Sequence, residues 1–270
     1  MNQKLGLIGT IRSLARLLSG KPKIPPSLAG NPLLQVILKR RSVRSFTNQA
    51  IPEDVFAAIL EAGRLAPSTV NLQTWAFAVL DAAHWQQTFG HPIPFLGSRA
   101  VIVIADTYRD RQVLDVFPYS PLVEHTVAVM NASLAAMNMN IAAEALGVSS
   151  VMLSETGRSG LLDAKYLQEK LGLPKGAVPL MTIVFGYARG GYPPMPPKLP
   201  GEQIFFKEQY QPPDRETMES WLSQMVVGYK ASHLRSSFKS QLNIYQKKIG
   251  QAEADLHAMI FGKEKDAGGK

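Results

Sequence analysis

RRSVRSF at residues 40–46 and APSTVNLQTW at residues 66–75 are the two stretches on which the reading of this 270-residue chain turns. The first sets Arg40, Arg41, Ser42 and Arg44 close together. Guanidinium forks match phosphate oxygens bidentately, so the cluster reads as an anion site. It also suits the basic end of a helix, where cations complement the dipole, and the residues alone leave these two readings level. The second stretch stops a helix at Pro67 and presents Ser68, Thr69, Asn71 and Gln73 ahead of a strand. Such hydroxyls and amides can address the polar edge of a heterocycle without using charge. Taken alone, the stretch reads as an ordinary capped turn.

Working outward, Asn31 is a good N-cap with Pro32 at the first helical position, and the spacing predicts a helix that buries Leu33, Leu34, Ile37 and Leu38. A second helix is expected from about Pro52 to Leu65, with Val55, Phe56, Ile59 and Leu60 on one face. WAFAVL (75–80) and AVIVIAD (100–106) read as strands. The longest helical pattern spans 121–147, with Val127, Met130, Leu134, Met137, Ile141 and Ala145 in register. It is apolar over much of its circumference, which suits the centre of a domain or a dimer. A strand at 149–153, a helix over 160–171 and a buried strand at 177–187 follow. Residues 190–201 are rich in Pro and Gly and cannot be regular. EQIFF (202–206) is read as an edge strand, and helical spacing returns from Asp214.

Composition narrows the class. Hydrophobic residues make up 46% of the chain, ample for a core. No apolar run free of charge reaches the roughly 18 residues of a spanning helix, so the chain reads as soluble and cytoplasmic. The absence of cysteine excludes disulfides, thiolate nucleophiles and Cys-ligated metals. The histidines, at 84, 91, 125, 233 and 257, show no helical zinc spacing, and no metal site is expected. Net charge is +8, concentrated at the N-terminus: residues 1–50 hold nine Lys or Arg and no acid, whereas the rest hold 20 basic and 21 acidic residues. Residues 1–20 have helical apolar spacing with Arg12 and Arg16 opposite. They read as an arm packing on a partner subunit in preference to a membrane-surface helix. Three segments result: a basic arm (1–30), a main domain (31–210) and a helical extension (211–270) ending in the polar tail KEKDAGGK, read as disordered.

A third motif, Leu153-Ser154-Glu155-Thr156-Gly157, follows a strand; alone it is a helix-capping turn. The order of the parts changes the reading. A basic cluster, a helix, APSTVNLQTW, a strand, an Ala-rich helix ending in AAEALGV, a turn, and LGLPKGAVPLMTIVFGYARGGYPPMPPKLP (171–200) together resemble the nitroreductase family over about residues 31–210. The resemblance implies an α+β fold, an antiparallel-dominated sheet wrapped by helices, in an intertwined homodimer with FMN at the interface. By similarity Arg40, Arg41, Ser42, Arg44 and Lys198 hold the phosphate and ribityl end. Pro67, Ser68, Asn71 and Gln73 come from the partner subunit. Ser154, Glu155, Thr156 and Gly157 line the ring.

The chemistry then belongs to the flavin, with no catalytic side chain required. NADH or NADPH is the donor, and the acceptor is a small aromatic molecule, a nitroaromatic or quinone, in ping-pong order. A flavin-modifying or reductive dehalogenase branch of the same fold is the alternative enzyme. A non-catalytic module binding flavin or an anionic surface is the alternative class. Nucleic acid is not an expected partner, since it gives APSTVNLQTW no role. Trp85, Phe89, Phe95, Phe117 and Tyr119 fall where the family varies its substrate pocket, and they read as core before pocket.

Overall fold

The computed structural model describes residues 24–114, 120–154, 160–232 and 237–262. The first helix, α1 (Pro32–Lys39), starts where the sequence says, with Asn31 Oδ1 accepting the Leu34 N–H at 3.1 Å. Its packing differs from expectation. Leu33 and Ile37 are 59% and 44% exposed, and no residue of α1 is fully buried. Leu34 and Leu38 are partly covered, so the apolar face is only half packed among the described residues.

Helix α2 (Glu53–Arg64) carries acids in its first turn and Arg64 in its last, both matched to the helix dipole. It buries Phe56, Ile59 and Gly63. Gly63 is needed for contact, since a Cβ there would lie 2.7 Å from Met139 Cγ. Strand β1 (Trp75–Asp81) follows, then α3 (Ala82–Phe89), β2 (Arg99–Asp106) and the short α4 (Tyr108–Arg111). Then come the central helix α5 (Pro121–Ala145), β3 (Ser149–Leu153), a 3₁₀ turn at Leu161–Asp163 leading into α6 (Ala164–Leu171), and β4 (Ala177–Gly186).

The four strands form one sheet in the order β1-β2-β4-β3, every neighbouring pair antiparallel. Period-2 alternation divides its residues between two cores. Val101, Val103, Ala105, Ile183 and Phe185 face α2 and α5. Ile102, Ile104, Val151 and Val184 face Trp85 and Phe89 of α3 and Leu167 of α6. The sheet is thus covered by helices on both faces, an α+β architecture as expected.

Helix α5 meets the sheet through its small side chains: Ala128, Ala132, Ala135, Ala136 and Ala143 are buried with Met139. The larger residues that mark its apolar periodicity lie on the other side, with Met130, Leu134 and Met137 exposed and Val127 and Ile141 only partly covered. Trp85 and Phe89 are core, but Phe95 is 38% exposed and holds φ 60°. Phe117 and Tyr119 lie outside the described residues, as do residues 1–20 of the arm and the KEKDAGGK tail.

The chain divides into two compact units, one of residues 30–192 with 247–270, the other of 1–29 with 193–246. In the second, EQIFF is not an edge strand: Gly201–Gln203 is a 3₁₀ turn, and Phe205 stands 80% exposed beyond it. The run has strand composition but, among the described residues, no neighbouring strand to supply ladder hydrogen bonds. Asp214 caps the next helix, α7 (Arg215–Ser232), accepting the Thr217 N–H at 2.8 Å. Of the last helix, α8 (Phe238–Phe261), residues 247–261 belong to the first unit, where Ala252 and Met259 are buried and Lys248 pairs with Asp163 at 2.6 Å. Among the described residues, no helix is long and apolar enough to cross a membrane.

Candidate functional site

The arginine segment is sewn to the sheet by its backbone. Ser42 forms a parallel bridge with Ser150 of β3, and the Val43 N–H reaches the Ser150 carbonyl at 3.1 Å. Further on, Thr47 N–H donates to Tyr187 O at 2.8 Å, and Arg189 N–H donates to Ser45 O at 2.9 Å. Val43 and Phe46 are buried, which turns the intervening Arg44 outward. Arg41 Nη1 donates to the carbonyls of Leu38 and Arg40, both at 2.7 Å, holding its guanidinium across the end of α1. None of Arg40, Arg41 and Arg44 forms an ion pair with a carboxylate among the described residues. Three guanidiniums on one short segment, none in direct ion pairing with a carboxylate among the described residues, fit a phosphate group.

One carboxylate faces this cluster. Glu144, at the end of α5, accepts from Tyr192 Oη at 3.2 Å, and Tyr192 Oη lies 3.0 Å from Ser149 Oγ. Burial pushes the Glu144 carboxyl above its ordinary range. The Tyr192 hydrogen bond and the charges of Arg40, Arg41 and Lys39 pull the other way. A raised folded-state pKa means that this group's contribution to stability is present at low pH and lost as pH rises through the folded value. Glu144→Gln is therefore expected to raise the melting temperature at pH 8 by a few degrees. The gain should vanish near pH 4, where both side chains are neutral; thermal melts of the apoprotein at the two pH values test this.

The 66–75 loop runs from α2 to β1, with Pro67, Asn71 and Gln73 exposed and Ser68 half-buried. It is internally tied: Gln73 N–H donates to Ser68 Oγ at 3.1 Å, and Gln73 Nε2 approaches Asn71 Oδ1 at 3.4 Å. Val70, Asn71 and Gln73 hold φ of 49°, 59° and 53°. Conformations of this kind cost about 1–3 kcal/mol each and persist only where surroundings enforce them. Val70 is β-branched, the worst case for such backbone, and its side chain is 84% exposed. A buried residue that the sequence pattern does not single out reaches both ends of this segment. Asn131 of α5, 1% exposed, accepts from the Thr69 N–H at 3.1 Å and donates to Thr74 Oγ1 at 2.8 Å. Its signal was an amide among the alanines, Ala128, Ala132 and Ala135, that the helix buries around it.

Ser154 follows β3, while Glu155, Thr156 and Gly157 lie outside the described residues. Gly160 returns the chain so closely that a Cβ there would sit 2.4 Å from Ser154 Cα, so no larger residue fits. Lys198 belongs to the other unit, in a groove of about 590 Å³ lined also by Pro200, Asp214, Thr217 and Trp221.

Strand register fixes how these parts relate within the first unit. Ser150, beside the arginines, pairs with Phe185, and Leu153, just before Ser154, pairs with Thr182. The arginines and the Ser154 turn thus lie along one sheet edge, roughly 13 Å apart at the usual rise per residue, a spacing suited to an elongated ligand with an anionic end. The 66–75 loop is elsewhere. Trp75 pairs with Ala105 and Ala105 with Val178, so the loop enters the opposite edge strand at the opposite end. Three strand spacings across and seven residues along separate it from the arginines by on the order of 25 Å. One chain does not bring the two donor sets together.

Residues 37–91 and 88–187 match the Nitroreductase family, and the chain belongs to it. A relative from Archaeoglobus fulgidus, whose name joins NADH dehydrogenase to NAD(P)H nitroreductase, is 32% identical over 162 residues, covering 58% of this chain and 85% of its own. An FMN reductase (NADPH) from Bacillus subtilis is 25% identical over 191 residues, 67% of this chain and 75% of that protein. Among solved structures, an NADPH:FMN oxidoreductase from Vibrio harveyi in complex with NAD+ shares the fold with a TM-score of 0.63 at 22% identity, over 81% of this chain and 98% of that one.

Proposed function

We propose that this protein is an FMN-dependent NAD(P)H oxidoreductase of the nitroreductase type, cytoplasmic, in which two copies of the chain assemble two composite sites. The observation that carries the reading is the separation of the two donor sets. An anion cradle and an edge-reading loop stand at opposite corners of one sheet. A two-fold dimer brings each against its counterpart from the other copy. Family relatives named for FMN and NADPH support the cofactor assignment.

Within such a site, Arg40, Arg41, Ser42 and Arg44 hold the phosphate and ribityl end, with Lys198 contributing a further cation. Ser154, Glu155, Thr156 and Gly157 bound the ring from the same chain. Pro67, Ser68, Asn71 and Gln73 of the second copy supply neutral hydrogen-bonding groups to its polar edge. The bound flavin carries electrons from NADH or NADPH to a small aromatic acceptor, a nitroaromatic or quinone, in ping-pong order. The side chains orient the ring and exclude water from it; none is asked to act as nucleophile or acid–base pair.

The test is the absorbance spectrum of the purified protein, with the released cofactor identified. Flavin bands and released FMN are expected. A protein that stays colourless after incubation with FMN would sink the assignment.

A further inference from the structure

We propose that Asn131 is the positioning residue of this site: one buried amide clamps both ends of the 69–74 loop and thereby sets where Asn71 and Gln73 stand. The inference rests on the flavin reading of that loop.

Three hydrogen bonds make the clamp. Asn131 Oδ1 takes the Thr69 backbone N–H at 3.1 Å and the Thr69 hydroxyl at 3.3 Å, and its Nδ2 gives to Thr74 Oγ1 at 2.8 Å. The backbone N–H can only donate, so the orientation of the amide is fixed without ambiguity. The far anchor is itself pinned, because the Thr74 carbonyl accepts the Asp106 N–H at 3.1 Å at the end of β2. Between the anchors stand all three strained residues, Val70, Asn71 and Gln73.

Burial within their own chain is not what holds them. Val70 is 84% exposed, and Asn71 and Gln73 are exposed as well. Nor does the helix need an amide at this position, since Ala128, Ala132 and Ala135 beside it are buried against the core. A buried polar side chain in such surroundings is retained for the partners it satisfies. Here those partners are the two ends of one exposed loop.

The experiment titrates full-length apoprotein with FMN and with riboflavin, by flavin fluorescence, and records the visible circular dichroism of the bound flavin. Asn131→Ala is expected to weaken both ligands at least tenfold, because the loop addresses the ring that the two ligands share. It is also expected to alter the visible dichroism at saturation, a signature that lowered stability alone does not produce. Thr74→Val removes one anchor, leaves α5 untouched, and is expected to act in the same direction by about threefold; it decides the question if Asn131→Ala does not fold. Wild-type binding with unchanged affinity and dichroism in a folded variant overturns the clamp alone. Absence of flavin binding by the wild-type chain overturns the cofactor reading and the clamp with it.

Discussion

Replacing Arg41 and Arg44 together by alanine is expected to weaken FMN binding by a hundredfold or more while leaving riboflavin binding within about threefold. Hydrogen bonds to charged groups contribute about 1.5–3 kcal/mol each, so removing two bonds to the phosphate amounts to roughly two to four decades in affinity. Riboflavin lacks the phosphate, and its affinity isolates the ring interactions from the anion site. The geometry favours a large effect. Arg41 is held by the carbonyls of Leu38 and Arg40, so little side-chain freedom remains to be lost when a phosphate arrives. Arg44 is exposed on a segment that the buried Val43 and Phe46 anchor to the core. Losing Arg41 also removes a cation from the end of α1, an effect typically about 0.3–1 kcal/mol, too small to explain the expected loss. Wild-type salt dependence should be steep, and the double variant's shallow. Equal losses for FMN and riboflavin would show that the arginines act on the fold, and unchanged FMN affinity would remove the phosphate site from this segment.

Much of the architecture was legible because it depends on local chemistry. The Asn31-Pro32 cap, the arrest at Pro67 and the continuous, β-branched-rich apolar run AVIVIAD each name their element without reference to the rest of the chain. The arginine cluster was legible for the same reason. What the sequence obscured was direction. Periodicity in α5 marks Val127, Met130, Leu134, Met137 and Ile141 as one apolar stripe, yet the structure turns that stripe away from its own sheet and uses the alanine face instead. Hydrophobic spacing shows that a face is to be covered, not by which chain. The same holds for Leu33 and Ile37 of α1. EQIFF misled because a run of apolar and aromatic residues resembles a strand whether or not a partner strand exists. Asn131 stayed hidden because its partners, Thr69 and Thr74, are distant in sequence.

That outward stripe gives the second large expected effect. Leu134→Glu combined with Met137→Glu is expected to convert the proposed dimeric, flavin-bearing protein into a folded monomer that retains no flavin. Leu122, Val123, Met130, Leu134 and Met137 form an exposed apolar surface on α5, larger than single scattered side chains need. In a two-fold interface each substitution counts twice, once on each copy, and an unpaired charge buried there costs several kcal/mol. The fold itself should survive, because the substituted side chains do not enter the sheet core, where Ala132, Ala135, Ala136 and Met139 do the packing. Sedimentation, far-ultraviolet circular dichroism and flavin content separate the outcomes. A folded monomer without flavin is the result expected of a site built from two chains. Were the monomer to keep its flavin, the 66–75 loop of the second copy would have no part in holding it. A dimer that survives both charges would move the interface off α5, and the exposed α1 face would then be the next surface to substitute.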